Sequence, residues 1–382
     1  SDAVGQPLRD TYRKAFEYSD CWVDDSRLVV LNALDARARG AAILTRTAAR
    51  AAERRRDCWR VELEDRRTGR CRTVEARCLV NAAGPWVEGM LGRIAGIQSR
   101  RHVRLVKGSH IVTRRFWEGG QAYLLQNSDR RVIFVNPYEG DLALIGTTDI
   151  PVEGDPAEAR ISEAEIDYLL AVTACYFRNP PRRDDILHAF SGVRPLYDDS
   201  AANPSAVTRD YIFDIDPQAP AAGQAPVLSI FGGKITTYRK LAEHALERLR
   251  PYLPAAGPAW TAGTALPGGD IPDADFEAWL AAFQAARPWL PPPLARHYGR
   301  LYGTRAAALL AEAQDLGDLG MRFGPLFYER EARFLMREEW AETEEDMLER
   351  RTKHGLHLRP FERREFGAWL AGLGAGRQRV TA

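Results

Sequence analysis

The stretch Leu228-Ser-Ile-Phe-Gly-Gly-Lys-Ile-Thr-Thr-Tyr-Arg239 runs an apolar strand pattern through two glycines into a helical pattern. A helix that opens this way offers backbone N–H groups with no intrahelical partner, which suit a phosphate or a cofactor's carbonyl oxygen. Glycines 232 and 233 let the backbone approach such a ligand closely, and Lys234 puts a cation beside the turn. The same residues serve equally as a tight strand-to-helix turn with Thr236 or Thr237 as its cap. Ser191-Gly-Val-Arg-Pro-Leu196 ends a strand on an arginine beside a proline, and Thr208-Arg209-Asp210 follows. Arg194 and Arg209, if they face one cleft, could clamp a phosphate by paired hydrogen bonds. Arg209 could instead pair with Asp210 or another surface acid. His110 sits in Lys107-Gly-Ser-His-Ile-Val112, an otherwise apolar strand pattern. An imidazole there could exchange a proton near neutral pH. A lone strand histidine is also a common hydrogen-bonded core residue. Asn81-Ala-Ala-Gly-Pro-Trp86 follows a short apolar strand, and Ala82, Ala83 and Gly84 leave room for a ligand. Pro85 suits a first helical turn, so an ordinary strand-to-helix connection explains the same residues. Gly372-Leu-Gly-Ala-Gly376 resembles a phosphate loop, but no strand pattern leads into it and no helix pattern follows, so it reads as a frayed tail.

These residues need elements to position them. Asp24 and Asp25 offer N-caps, after which Leu28, Leu31 and Leu34 recur at helical spacing until Gly40; Ala42 to Leu44 can form a short strand. Cys58 to Asp65 alternates with the period of a strand, Arg66 to Gly69 reads as a hairpin loop, and Cys71 to Ala76 returns. Strands are expected at His102 to Thr113, Gln121 to Gln126, Val132 to Val135 and Leu142 to Thr147, a succession that implies a mostly antiparallel sheet. A helix follows from Asp155 to Phe177, then strands at Ile186 to Val193, Val207 to Phe213 and Val227 to Phe231, and a helix from Gly232-Gly233 to about Arg250. Pro251 to Pro272 is dense in proline and glycine, the composition of a domain boundary. Beyond it the pattern is helical, with Ala332, Leu335, Met336 and Trp340 on one face of an amphipathic helix.

Bulk properties bound the function. A chain of 382 residues is long for one core, so two domains are expected. Its 53 basic and 52 acidic residues nearly cancel, which argues against a nucleic-acid partner held by a strongly positive surface. No apolar run is long enough to span a bilayer, and Ser1 to Asp10 has no signal-peptide core. Five cysteines, Cys21, Cys58, Cys71, Cys78 and Cys175, show no C-x-x-C spacing, so a reduced cytoplasmic setting is expected and no metal site is.

Taken in order, the motifs resemble the aerobic, flavin-linked glycerol-3-phosphate dehydrogenases of bacterial respiration. The resemblance rests on Phe16-Glu-Tyr-Ser-Asp-Cys-Trp-Val-Asp24, Asn81 to Trp86, Lys107 to Ile111, Gly146-Thr-Thr-Asp149, Ser191 to Leu196, Thr208 to Tyr211, Phe231 to Glu243 and Arg350-Arg-Thr-Lys-His-Gly355. It implies an α/β fold plus a helical part. Residues 1–252 would form an FAD-binding Rossmann-like domain with an antiparallel substrate-binding sheet at about 100–215. A linker at 253–272 and a helical C-terminal domain at 273–382 would follow. The family opens with a βαβ unit bearing G-x-G-x-x-G, which does not occur before Phe16, so the chain is expected to be N-terminally truncated and impaired in FAD binding. The implied reaction takes sn-glycerol 3-phosphate to dihydroxyacetone phosphate, with FAD as hydride acceptor and a membrane quinone as the next electron carrier. The resemblance places His110, Arg194, Arg209 and Lys234 around the substrate. By intrinsic pKa His110 is the candidate base, Arg209 would orient the substrate oxygen, and Arg194 and Lys234 would bind phosphate. Asn81, Ala82, Ala83, Gly84, Gly232, Gly233, Thr236 and Thr237 would line the flavin. The implied location is cytoplasmic, peripheral on the inner face of the membrane, with a homodimer allowed. The alternatives are an oxidase that passes electrons to oxygen, or an inactive fragment that only binds glycerol phosphate or a partner protein.

Overall fold

The computed structural model describes residues 4–198, 210–217, 224–254 and 257–380. The chain divides into two compact units, Ser1–Tyr18 with Arg46–Thr261, and Ser19–Thr45 with Ala262–Ala382.

In the first unit, β1 (Thr47–Arg54), β2 (Trp59–Asp65) and β3 (Cys71–Ala76) make an antiparallel sheet in that order. β1 replaces the short strand expected at Ala42 to Leu44, which is irregular here. Its sequence, TAARAAER, is rich in helix formers, and pairing with β2 overrides that local preference. β4 (Leu79–Asn81) follows, then the long β5 (Val103–Arg114), β6 (Tyr123–Gln126), β7 (Val132–Tyr138), β8 (Leu142–Gly146), β9 (Ile150–Pro151) and β10 (Ile186–Tyr197). The last six form one antiparallel sheet in the order β10-β5-β8-β7-β6, with β9 beside β5. β11 (Tyr211–Asp216) runs antiparallel to β12 (Val227–Gly232), and β12 runs parallel to β4. Residues 207–209 of the expected strand at Val207 lie outside the described residues.

The six-stranded sheet has two unlike faces. Ile111, Leu125, Ile133, Val135 and Ile145 bury one face against Leu169 and Val172 of the helix Glu163–Tyr176. That helix starts later than expected from Asp155. Ser162 and Glu165 form a reciprocal capping box that fixes its first turn, and Pro156–Glu158 makes only a single separate turn.

The second unit is helical, with Asp25–Ala38, Phe276–Ala285, Pro292–Tyr302, Glu329–Glu338 and Pro360–Val380. Its core gathers Tyr298, Tyr302, Phe327, Leu335 and Phe366. The Asp25–Ala38 helix was expected within a first domain at 1–252; it belongs to this second unit instead. The reason is a buried charge on its inner face. Arg27 shares the buried helical stripe with Val30 and Leu34 and pairs through both terminal nitrogens with buried Glu339, which also accepts from Arg305 at 2.8 Å. Asp24, the N-cap, accepts from Lys353 Nζ at 2.6 Å, joining the motif that ends at Asp24 to Arg350–Gly355. Gly372 to Gly376, expected as a frayed tail, is part of the Pro360–Val380 helix.

Candidate functional site

Register puts the candidate residues of the sheet on its second face. His110 stands opposite Phe190 on β10 and Gly146 on β8, Gly108 opposite Gly192, and Val106 opposite Arg194. Residues opposite one another in an antiparallel pair share a face, so His110, Phe190 and Arg194 project away from the helix-packed side. Phe134 and Leu124 continue the same face across β7 and β6 and are exposed there. The His110 and Phe190 rings stack with centroids 5.2 Å apart. Glycine is required beneath these side chains. A Cβ at Gly146 would lie 2.2 Å from His110 Cδ2, and one at Gly108 would lie 2.3 Å from Arg194 Nη2.

Arg194 is held, half-buried, by the segment after β8. Its Nη1 donates to Asp149 Oδ1 at 2.7 Å and its Nη2 to Thr147 Oγ1 at 2.8 Å. Thr148, between them, turns the other way and donates its hydroxyl to Glu165 Oε1 at 2.7 Å. Buried Glu165 also accepts from Ser109 Oγ at 2.7 Å, pairs with Lys107 at 2.8 Å, and closes the capping box on Ser162 at 2.8 Å. Burial alone would raise its pKa, but Lys107 and the hydroxyl donors hold it at about 2. One carboxylate thus locks Lys107 and Ser109 of β5, Thr148 of the 146–149 segment and the start of a helix. Glu165 was not among the candidates, although Ser162-x-x-Glu165 is a legible capping-box signature.

A second group of residues lies at the ends of β4 and β12. These strands run side by side in the same direction, Leu79 opposite Val227 and Asn81 opposite Ser229, and each ends in a glycine turn. The crevice beyond the carboxyl ends of parallel strands is where open α/β sheets take ligands. Gly84 has φ 56°, Gly232 φ 74° and Gly233 φ 100°, conformations that other residues rarely adopt. Asn81 is buried; its side chain donates to the Val87 carbonyl at 2.9 Å and to Ser229 Oγ at 3.3 Å and accepts from the Ala83 N–H at 3.3 Å, so it shapes the turn. Thr237 is similarly committed, donating its hydroxyl to the Lys234 carbonyl at 2.9 Å, while Thr236 is exposed. Lys234 is exposed at the turn, and its side chain enters no ion pair among the described residues. Exposed Val80, Trp86 and Ile235 flank these turns with apolar surface.

Both turns approach the end of β10 that carries Arg194. A Cβ at Gly84 would reach Pro195 Cγ at 4.0 Å, and one at Gly232 would meet the Tyr197 backbone nitrogen at 3.3 Å. The structure therefore brings His110, Arg194 and the two glycine turns into one region of the first unit. Arg209 lies outside the described residues. Open turns built from small residues and bordered by apolar side chains fit the ring end of a flavin.

Outside this region, His297, Glu331 and His354 in the second unit place possible metal-donor atoms within 4.8 Å of one another. The carboxylate is already satisfied by protein donors: it meets His297 Nε2 at 2.9 Å and His354 Nε2 at 3.2 Å, and accepts from the Tyr302 hydroxyl at 2.7 Å.

Two family models match the chain, FAD dependent oxidoreductase over residues 3–239 and the C-terminal domain of alpha-glycerophosphate oxidase over residues 259–359. D-erythritol 1-phosphate dehydrogenase of Brucella abortus is 54% identical over 97% of this chain and 73% of its own length. Aerobic glycerol-3-phosphate dehydrogenase of Escherichia coli is 47% identical over 95% of this chain and 72% of its own. Among solved structures, glycerol-3-phosphate dehydrogenase from Bacillus halodurans complexed with FAD superposes with a TM-score of 0.72 at 27% identity, covering 86% of this chain and 64% of that one. The chain thus spans about three quarters of these curated relatives and under two thirds of the solved enzyme.

Proposed function

The chain belongs to the FAD-dependent oxidoreductases of the glycerol-3-phosphate dehydrogenase type, and from that premise we propose that it oxidises sn-glycerol 3-phosphate to dihydroxyacetone phosphate. The observation that carries the reading is the spacing along β5. Arg194 is in register with Val106 but reaches over Gly108, two residues short of His110. At ~3.3 Å per strand residue the guanidinium and the imidazole stand roughly 7 Å apart along the strand. That span accommodates a phosphate at one end and a secondary hydroxyl two carbons away at the other.

In this reading Arg194 and Lys234 bind the phosphate, and His110 takes the proton from the C2 hydroxyl. Arg209 steadies the same oxygen as negative charge develops on it. FAD, when bound, supplies the acceptor for the hydride that leaves C2. The backbone at 82–84 and 232–233, with Thr236, would hold its ring. Electrons pass on to a membrane quinone from a protein lying peripherally on the inner face of the cytoplasmic membrane. No described helix is long and apolar enough to cross a membrane.

A second reading has its own support. The 54% identity to D-erythritol 1-phosphate dehydrogenase favours a four-carbon polyol phosphate with the same phosphate and secondary-alcohol chemistry. Steady-state kcat/KM of the FAD-loaded protein with each polyol phosphate, using a quinone analogue and then oxygen as acceptor, separates the readings. Preference for glycerol 3-phosphate with quinone is the expected result. Preference for the four-carbon substrate selects the second reading, oxygen as the better acceptor makes it an oxidase, and no turnover of either substrate overturns both.

A further inference from the structure

The segment Gly146-Thr-Thr-Asp149 contributes no group to the chemistry described above, yet it is tied to both Arg194 and the Glu165 network. We propose that Asp149, with Thr147, is a positioning residue that fixes the Arg194 guanidinium for recognition of the substrate phosphate; this rests on the phosphate-binding role assigned to Arg194.

The geometry supports a brace. Two acceptors from one three-residue stretch engage both terminal nitrogens of Arg194, at 2.7 and 2.8 Å, which fixes the plane of the guanidinium as well as its position. Gly108 opens the space that the guanidinium occupies. The stretch itself is anchored from behind, because Thr148 is held by Glu165 and donates to nothing else through its hydroxyl, while that hydroxyl accepts from the Ser109 N–H at 3.0 Å. An arginine left unbraced at a half-open site would spread over many rotamers, and phosphate binding would have to order it.

Charge alone predicts the opposite effect. Asp149 places a negative charge 2.7 Å from the cation that is to meet an anion, so on simple electrostatics its removal should strengthen phosphate binding. The sign of the effect therefore decides between a brace and a counter-charge.

The test measures inorganic phosphate binding by calorimetry and kcat/KM for glycerol 3-phosphate on the FAD-loaded protein. The variants are Asp149→Ala, Asp149→Asn, Thr147→Val and Arg194→Ala, with flavin absorbance and thermal melting checking that each is folded and loaded. Asp149→Ala should weaken phosphate binding and lower kcat/KM about tenfold, largely through KM. Thr147→Val should do the same more mildly. Asp149→Asn, which keeps an acceptor oxygen but no charge, should recover most of the loss. Adding Asp149→Ala to Arg194→Ala should cost little more. Tighter phosphate binding in Asp149→Ala, or an Asn variant as impaired as Ala, overturns the brace. If Asp149→Ala will not fold, Thr147→Val and Asp149→Asn carry the same comparison, and unchanged affinity in Thr147→Val overturns it. Should Arg194→Ala leave phosphate affinity unchanged, the assignment of Arg194 fails first. An effect at Arg194 with none at Asp149 rejects the brace alone.

Discussion

At the scale of single residues, the difference between a cation and an oriented cation sets the first prediction. Arg194 meets Asp149 and Thr147 through separate nitrogens, and a lysine's single ammonium cannot hold both while also making two parallel bonds to a phosphate. Arg194→Lys should therefore lower kcat/KM by roughly ten- to hundredfold, matching about 1.5–3 kcal/mol for a lost charge-assisted hydrogen bond. Kinetics close to wild type would remove Arg194 from the phosphate site. His110→Ala should act differently, lowering kcat more than it weakens an unreactive phosphate analogue, because a base acts mainly in the transition state. An unchanged kcat would reduce His110 to the partner of Phe190 in a ring stack. Sequence named both residues because their motifs stood out. It could not show that Asn81 and Thr237, named with them, spend their side chains on local hydrogen bonds. That distinction depends on where neighbouring carbonyls lie, which no spacing rule contains.

At the scale of elements, the sheet was legible and its anchor was overlooked. β5 to β8 are runs rich in apolar and β-branched residues, so strand type follows from residue type, and register then places His110 and Arg194 on one face. β1 was missed because alanine and arginine carry no strand signal of their own. Glu165 went unremarked because a capping-box glutamate is ordinarily a surface residue, whereas here it is buried beneath β5 and paired with Lys107. Breaking such a pair leaves an uncompensated buried charge, so Glu165→Ala should cost about 3–5 kcal/mol of stability. Its carboxyl titrates at about 2 in the folded protein against an ordinary 4.5, so its contribution is present above pH 4.5 and is lost as pH falls toward 2. The gap in melting temperature between wild type and Glu165→Gln should accordingly be widest near neutrality and close below pH 4. A constant gap across that range would mean that charge at Glu165 is not what stabilises the fold.

At the scale of the whole molecule, composition separated a mixed α/β part from a helical part. It did not show that Asp25–Ala38 belongs with the helices 262–382, because that membership comes from Arg27 finding Glu339 more than three hundred residues away in sequence. The same helical unit contains a largely buried cluster of titratable groups, His297, Glu331 and His354, whose acid behaviour can be worked out. Burial lowers the His354 pKa to about 4 from an ordinary 6.5, so the folded protein keeps it neutral while an unfolded chain protonates it below pH 6.5. Stability is therefore full above pH 6.5 and falls progressively as pH drops toward 4. For Glu331, burial works toward a higher pKa, but His297 and His354 outweigh it and hold the group at about 2 against an ordinary 4.5. Its contribution is lost as pH falls from 4.5 toward 2, so the two windows follow one another in the same direction. His354→Gln separates them. Glutamine can still donate an N–H to Glu331 but cannot titrate. The variant should melt somewhat lower than wild type at pH 7.5, through imperfect packing against Phe327, which lies 4.6 Å from the His354 ring. Between pH 6.5 and 4 its melting temperature should decline less steeply, and the two curves should converge or cross. Parallel curves over that interval would show that His354 is not the group that titrates on unfolding.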